Sequence, residues 1–190
     1  MEQLLTWMKT IPEYNDLLRC LRSNQAAAVT GIGQINRSHM IAALQQDIRR
    51  PMVILCQDDM AAKRLQQELE AFLGSCPPVL PGRELTLYDA AVVSRGWEQT
   101  RLRQLYALST GQTPIQILSW ESLSQRTMPP EVLKRSVFTL QVGKEYELES
   151  LLQQLTVSGY TRCAMVEGSG QFSLRGGILD IFSQIGRAHV

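Results

Sequence analysis

Short apolar runs alternate with helical segments along the first two thirds of the chain, and this alternation constrains the fold most. The predicted strands are residues 26–29, 52–56, 85–88 and 115–118. The helices predicted around them cover residues 12–23, 37–47 and 95–108, with another ending at residue 74 and a short one from residue 121. Strands separated by helices predict a parallel sheet with right-handed crossovers, so the predicted fold class is α/β.

Two of these elements carry further signals. Either Asp58 or Asp59 can cap the helix after the second strand, and Gly74 ends that helix. Capping explains the two adjacent carboxylates without a metal site. The run Met52–Cys56 is continuously apolar, which is expected of a parallel strand that is covered on both faces.

The pattern changes near Pro129-Pro130, which cannot continue a helix and is typical of a linker. A strand at residues 137–141 and a leucine-rich helix are predicted after it. We therefore predict a boundary between an α/β domain at residues 1–128 and a smaller α+β subdomain. Residues 129–184 are predicted to be the first part of this α+β subdomain.

The stretch of residues 159–183 is predicted to be antiparallel β-structure. Two apolar runs, Ala164–Val166 and Ile178–Phe182, flank a cluster of glycine and serine, and Phe172 lies among polar neighbours. The pair Gly176-Gly177 predicts a bulge or bend next to the second run.

A glycine-containing segment lies between the first predicted strand and helix, where a phosphate-binding loop belongs. Compared with Gly-x-x-x-x-Gly-Lys-Ser/Thr, it keeps Gly31 and Ser38, but Asn36 replaces the second glycine and Arg37 replaces the lysine. The planar head of arginine does not reproduce the point charge of lysine. We interpret the segment as a degenerate P-loop kept for packing, and nucleotide binding is the alternative.

The helix predicted over residues 95–108 offers a candidate nucleic-acid surface. It carries Arg95, Arg101 and Arg103 interleaved with aromatic residues that include Trp97. The simpler interpretation is an amphipathic helix that packs its apolar side inward and keeps its charges in water. We prefer that interpretation because Glu98 dilutes the positive charge of the helix and the net charge of the chain is near zero.

Composition argues against several classes of function. The net charge of +1 provides no global field for nonspecific nucleic-acid binding. No apolar run reaches the length of a membrane span and no signal peptide is recognisable, which predicts a cytoplasmic protein. The four cysteines form no Cys-x-x-Cys pair, and His39 is the only histidine before residue 185, so neither a zinc site nor histidine-based catalysis is expected.

Three motifs in the β-rich stretch resemble bacterial transcription-repair coupling factors. They are Gly-Tyr-x-Arg at residues 159–162, Gly-x-Phe at 170–172 and Arg-Gly-Gly-Ile-Leu-Asp-Ile-Phe at 175–182. The stretch is less closely similar to the excision-repair subunit UvrB, and the resemblance extends upstream through residues 80–89 and 93–102. It implies a UvrB-like module whose second subdomain docks UvrA.

The resemblance also implies roles for particular residues. Arg162 and Arg175 match arginines that meet acidic groups on UvrA, and Phe172 is the expected apolar anchor beside them. Ser173 stands where UvrB has a further arginine, so we expect weaker binding than that of UvrB. The degenerate loop favours the coupling factors over UvrB, whose loop is intact.

The function implied by the resemblance is a non-catalytic module that recruits UvrA to stalled RNA polymerase in nucleotide excision repair. The alternative is an ATP- and DNA-binding enzyme of the UvrB or helicase type. By the same resemblance, ATP, Mg²⁺, polymerase and DNA are expected to bind other parts of a longer protein. Residues 185–190 break the pattern, and we expect them to be a non-native tail on a truncated chain.

Overall fold

A computed structural model describes residues 2–82 and 95–183. The predicted strand at residues 85–88 and the tail at 185–190 lie outside the described residues. The described chain divides into two compact units, residues 2–82 with 110–125 and residues 95–109 with 126–183. The assignment of residues 1–128 and 129–184 to two subdomains of the family stays a prediction.

Both units contain helices and strands. The helices in chain order are α1 (Glu2–Trp7), α2 (Pro12–Arg22), α3 (Gln34–Ile48), α4 (Asp59–Leu73), α5 (Arg95–Ser109), α6 (Trp120–Leu123), α7 (Pro130–Ser136) and α8 (Leu148–Val157). The strands are β1 (Met52–Cys56), β2 (Val79–Leu80), β3 (Ile115–Ser119), β4 (Thr161–Arg162), β5 (Gln171–Arg175) and β6 (Ile178–Phe182). Within the two described ranges, no helix is long and apolar enough to cross a membrane.

The first unit contains a parallel sheet with the strand order β1-β3-β2. In its register Met52 pairs with Ile115, and Val79 pairs with Ile117. The two-residue strand β2 was not predicted, and it gains a further link because the Gln116 side chain donates a 3.0 Å hydrogen bond to the carbonyl of Pro78. This sheet and its helices confirm a mixed α/β fold with parallel strands.

The core of the first unit forms where α3 and α4 pack on one another and α4 packs on the sheet. Helix α4 begins and ends where the sequence predicts. The Asp58 carboxylate accepts a 2.7 Å hydrogen bond from the Ala61 amide, and Gly74 closes the helix at a φ of +68°. The most buried apolar side chains of this unit are Leu5, Tyr14, Leu18, Ala42, Ala43, Leu44, Ala62, Leu69, Ile115 and Ile117.

Helix α2 is joined to α3 by a polar contact at the edge of the core. The Tyr14 hydroxyl donates a 2.9 Å hydrogen bond to Asp47, which also pairs with Lys9 at 2.7 Å. Burial raises the pKa of Tyr14, and the hydrogen bond to Asp47 raises it further. The phenol therefore stays protonated and continues to donate.

Two predictions for the first unit are wrong. Residues 26–29 are exposed and form no strand, because no described strand lies beside them to pair with their backbone groups. Among the described strands, β1 lies at the edge of its sheet, and one of its faces is exposed. Its Val53 and Leu55 side chains are 56% and 49% exposed, although the apolar run predicted burial on both faces.

The second unit contains another three-stranded sheet, in which β5 pairs parallel to β4 and antiparallel to β6. Helix α5 packs against α7. Helix α7 was not predicted, since Pro130 is its first residue rather than part of a linker.

Two predicted strands of this unit are also absent. Neither residues 137–141 nor Ala164–Val166 form a strand. In the first segment the Gln141 amide donates a 2.9 Å hydrogen bond to the Tyr146 hydroxyl, which satisfies that amide without a neighbouring strand.

The Leu69→Ala substitution tests the core of the first unit. Leu69 is completely buried, so we expect a loss of about 2–5 kcal/mol in the free energy of unfolding. Urea unfolding followed by circular dichroism measures the loss. The control is Gln67→Ala on the exposed side of α4, which should stay within about 0.5 kcal/mol of the wild type. Equal stabilities of the two variants would contradict this description of the core.

Candidate functional site

Most of the segment that resembles a P-loop is helical rather than a loop. Helix α3 begins at Gln34, which is three residues earlier than predicted. Asn36, Arg37 and Ser38 are therefore helical, and no strand precedes them. A phosphate-binding loop needs a strand, an open turn of backbone amides and then a helix. The structure shows the helix and a short bend at Gly31, but residues 26–29 form no strand before them.

The Ser38 hydroxyl is already engaged within the fold. Ser38 is completely buried, and its hydroxyl donates a hydrogen bond to the carboxylate of Glu68 on α4. The Gln34 side chain donates to the same carboxylate at 2.7 Å. A Mg²⁺-bound nucleotide would need the Ser38 hydroxyl and would be repelled by Glu68. The residues present therefore do not fit a nucleotide.

Helix α5 does not present all its arginines to solvent. Arg101 is buried, with its guanidinium 5.9 Å from the centre of the Trp97 ring. Burial lowers the pKa of Arg101. Arg103 is exposed on the same helix. The sequence suggested that these arginines form a nucleic-acid surface. Because Arg101 is buried, it cannot be part of such a surface.

The residues implied in UvrA docking lie in the second sheet, around the β5–β6 hairpin. Gly176 and Gly177 connect the two strands as a two-residue turn, with φ angles of +56° and +94°. A turn of this kind requires positive φ at both central positions, which glycine adopts without strain. The predicted bulge or bend is therefore a hairpin turn.

The register of the hairpin assigns each side chain to one of two faces. Ser173 pairs with Asp180, and Arg175 pairs with Ile178, so these residues share one face. We call this the docking face and define it by Arg175, Ile178, Asp180 and Phe182. Arg175, Ile178 and Phe182 are exposed there. The opposite face carries Phe172, Leu174, Leu179 and Ile181.

Arg175 makes an ion pair on the docking face. Its Nη2 atom donates to Asp180 Oδ2 at 2.6 Å, and both side chains keep substantial exposure. An ion pair in that position adds at most about 1 kcal/mol to stability. Its larger effect is to fix the direction of the guanidinium, which has five N–H donors and keeps some of them available.

The structure does not place Arg162 and Arg175 on the same face. Arg162 is exposed on β4, where it pairs with Phe172 in the parallel register. Arg175 lies three residues beyond Phe172 on β5, so it points to the opposite face. The two arginines are on neighbouring strands as predicted, but they do not form one continuous patch.

Phe172 is not an exposed anchor. Its side chain is 2% exposed, so it supports the sheet from the core and cannot contact a partner directly. Ile178 and Phe182 are the exposed apolar residues instead, at 66% and 51%. Sequence reasoning missed them because four of the five residues in the run Ile178–Phe182 are apolar. The charged Asp180, which lies between them on the same face, is the signal that could have shown that this face points outward.

The segment before β5 is held in place by its own polar side chains. Gln171 Oε1 accepts hydrogen bonds from the amides of Glu167 and Gly168, each 2.9 Å long. The Ser173 hydroxyl donates to the carbonyl of Ala164 at 2.9 Å. The segment before β5 is thus bonded to Gln171 and Ser173, which alternate with Phe172 and lie on the same face of β5 as Arg175. Across the described ranges, no group of histidine, cysteine and acidic side chains could hold a metal ion.

Comparison with known proteins places this hairpin within a described domain. Residues 138–189 match the family model of the UvrB interaction domain. The chain is 32% identical to the transcription-repair-coupling factor of Myxococcus xanthus over 173 residues, which is 87% of this chain and 14% of that protein. It is 28% identical to the transcription-repair-coupling factor of Bacillus subtilis (strain 168), over 96% of this chain and 16% of that protein.

The same similarity extends to Staphylococcus aureus. The transcription-repair-coupling factor of strain USA300 is 28% identical over 83% of this chain and 14% of its own length. These matches confirm the resemblance inferred from the sequence. The chain spans only about one sixth or less of the length of these curated relatives.

The geometry around Ser38 predicts that the chain does not bind Mg·ATP at physiological concentration. Titration of a fluorescent ATP analogue into the purified chain should give no saturable signal, because Glu68 holds the Ser38 hydroxyl and adds negative charge. The Arg37→Ala variant is the control. Saturable binding by the wild type that disappears in this variant would contradict the prediction.

Proposed function

We propose that this chain acts in transcription-coupled repair as a non-catalytic module that docks UvrA. The observation that supports it most is the docking face of the β5–β6 hairpin. There Arg175 lies beside Ile178, with Phe182 further along the same face. The face lies within the residues that match the UvrB interaction domain.

The apolar part of the docking face supports a protein partner. Ile178 and Phe182 are large side chains that remain more than half exposed, and Ile178 pairs with Arg175 across the hairpin. The centres of protein interfaces are enriched in aromatic and arginine side chains and depleted in other charged residues. A partner that covers Ile178 and Phe182 removes their apolar surface from water, which favours binding.

Arg175 supplies the directional part of the contact. Asp180 orients the guanidinium through one nitrogen, so less side-chain freedom is lost when a partner binds. The remaining donors can bind a carboxylate on UvrA, and such charge-assisted bonds are stronger than neutral ones. We therefore expect an acidic group on UvrA to lie opposite Arg175.

Arg162 is proposed as a second and weaker contact. It is exposed on β4, but the register directs it away from the docking face. A partner that covers the docking face reaches it only by extending around the edge of the sheet. Its substitution should therefore cost less binding energy than substitution of Arg175.

In this proposal the chain recruits UvrA to stalled RNA polymerase and has no enzymatic activity of its own. We assign contacts with polymerase and DNA, together with any ATP-driven activity, to regions of the longer relatives that this chain does not cover. The engaged Ser38 hydroxyl and the buried Arg101 support this assignment over an ATP- and DNA-binding enzyme. The cytoplasmic location stays a prediction.

Titration with purified UvrA tests the docking face. The Arg175→Glu variant should weaken binding more than tenfold, about 2 kcal/mol, because it places a negative charge opposite the acidic partner. Phe182→Ala should weaken it by about tenfold through the loss of apolar contact. Arg162→Glu should have a smaller effect than either. Dissociation constants from calorimetry or fluorescence anisotropy give the comparison.

The matched control is Arg103→Glu, which reverses an exposed charge on α5 and should bind like the wild type. Circular dichroism confirms that each variant is folded. Equal binding by every variant would reject the docking face. A selective loss in Arg103→Glu would move the interface to α5.

A further inference from the structure

Helix α3 begins without the usual local stabilisation of a helix start. Its N-cap residue is Gly33, which has no side chain to accept a hydrogen bond, and its first turn contains no acidic residue. The first amides of a helix have no partner within the helix, and the partial positive charge at that end favours a nearby anion. A neighbouring element supplies that anion.

The carboxylate of Glu68 on α4 uses both its oxygens at this helix start. Oε1 accepts a 2.7 Å hydrogen bond from Gln34 Nε2, and Oε2 accepts a hydrogen bond from the hydroxyl of Ser38. Gln34 and Ser38 are one helical turn apart, so the carboxylate spans the first turn. Inside that turn the amide of Arg37 donates to the carbonyl of Gly33 at 3.0 Å.

The surroundings of this carboxylate are those of an anion position. An open cleft of about 580 Å³ is lined by the start of α3 together with Glu68 and Arg64, one turn earlier on α4. Ser38 is completely buried and directs its hydroxyl at Glu68. The partial positive charge at the start of α3 favours an anion there.

We propose that Glu68 holds the first turn of α3 closed through the side chains of Gln34 and Ser38 and keeps external anions such as phosphate away from this helix start. Its carboxylate keeps residues 34–38 wound as the first turn of α3 and holds the Ser38 hydroxyl. External anions are therefore excluded by the fold itself, in addition to the replacement of the P-loop glycine and lysine. This exclusion does not depend on UvrA binding.

Hydrogen exchange at the Arg37 amide tests this proposal in the purified chain, because that amide closes the first turn. In Glu68→Ala the amide should exchange about tenfold faster than in the wild type, since two hydrogen bonds to the carboxylate are lost. Inorganic phosphate, added at constant ionic strength, should restore protection in this variant. The same phosphate should leave the wild type unchanged.

Two further variants keep the test decisive. Glu70→Ala removes an exposed acid from the same helix and should exchange like the wild type. Glu68→Gln keeps the size and one acceptor but removes the charge, so Arg37 should exchange faster than in the wild type even if the alanine variant does not fold. Wild-type exchange in Glu68→Gln would overturn the proposal. Failure of phosphate to protect a folded Glu68→Ala variant would also overturn it.

Discussion

The antiparallel register between β5 and β6 determines what the second unit can present to a partner. The turn at Gly176 and Gly177 fixes the pairing, and a shift of one residue would exchange the two faces of the hairpin. In the observed register Arg175 and Phe182 are exposed on one face of the hairpin, while Phe172 is buried on the other. The docking face is thus a consequence of one short turn, and the apolar opposite face stabilises the same register.

The sequence predicts the elements whose signals are local. Helical periodicity and end signals located α4 between Asp58 and Gly74, and the apolar runs located β1 and β3. The sequence failed where pairing with distant segments decides the outcome. Residues 26–29 and 137–141 have strand-like composition but no described strand beside them, whereas the two residues of β2 become a strand because β3 is adjacent.

The same distinction applies to the candidate site. The motifs directed attention to Arg162 and Arg175, and the structure places both on short strands as expected. The burial of Phe172 and the exposure of Ile178 depend on the register and could not be derived from composition. At the degenerate loop the sequence showed the missing lysine, but the partner of Ser38 lies 30 residues away on α4. The engaged Ser38 hydroxyl and the exposed side chains of the docking face are the two observations on which the proposed role as an interaction module rests.

The most direct test of the proposed docking face is hydrogen–deuterium exchange of the chain with and without UvrA. We expect slower exchange in peptides covering residues 171–182, because UvrA covers the docking face, and no change in α3 and α4 of the first unit. Protection confined to α5, or to the start of α3, would contradict the account. The absence of any protection at a UvrA concentration that saturates binding would contradict it as well.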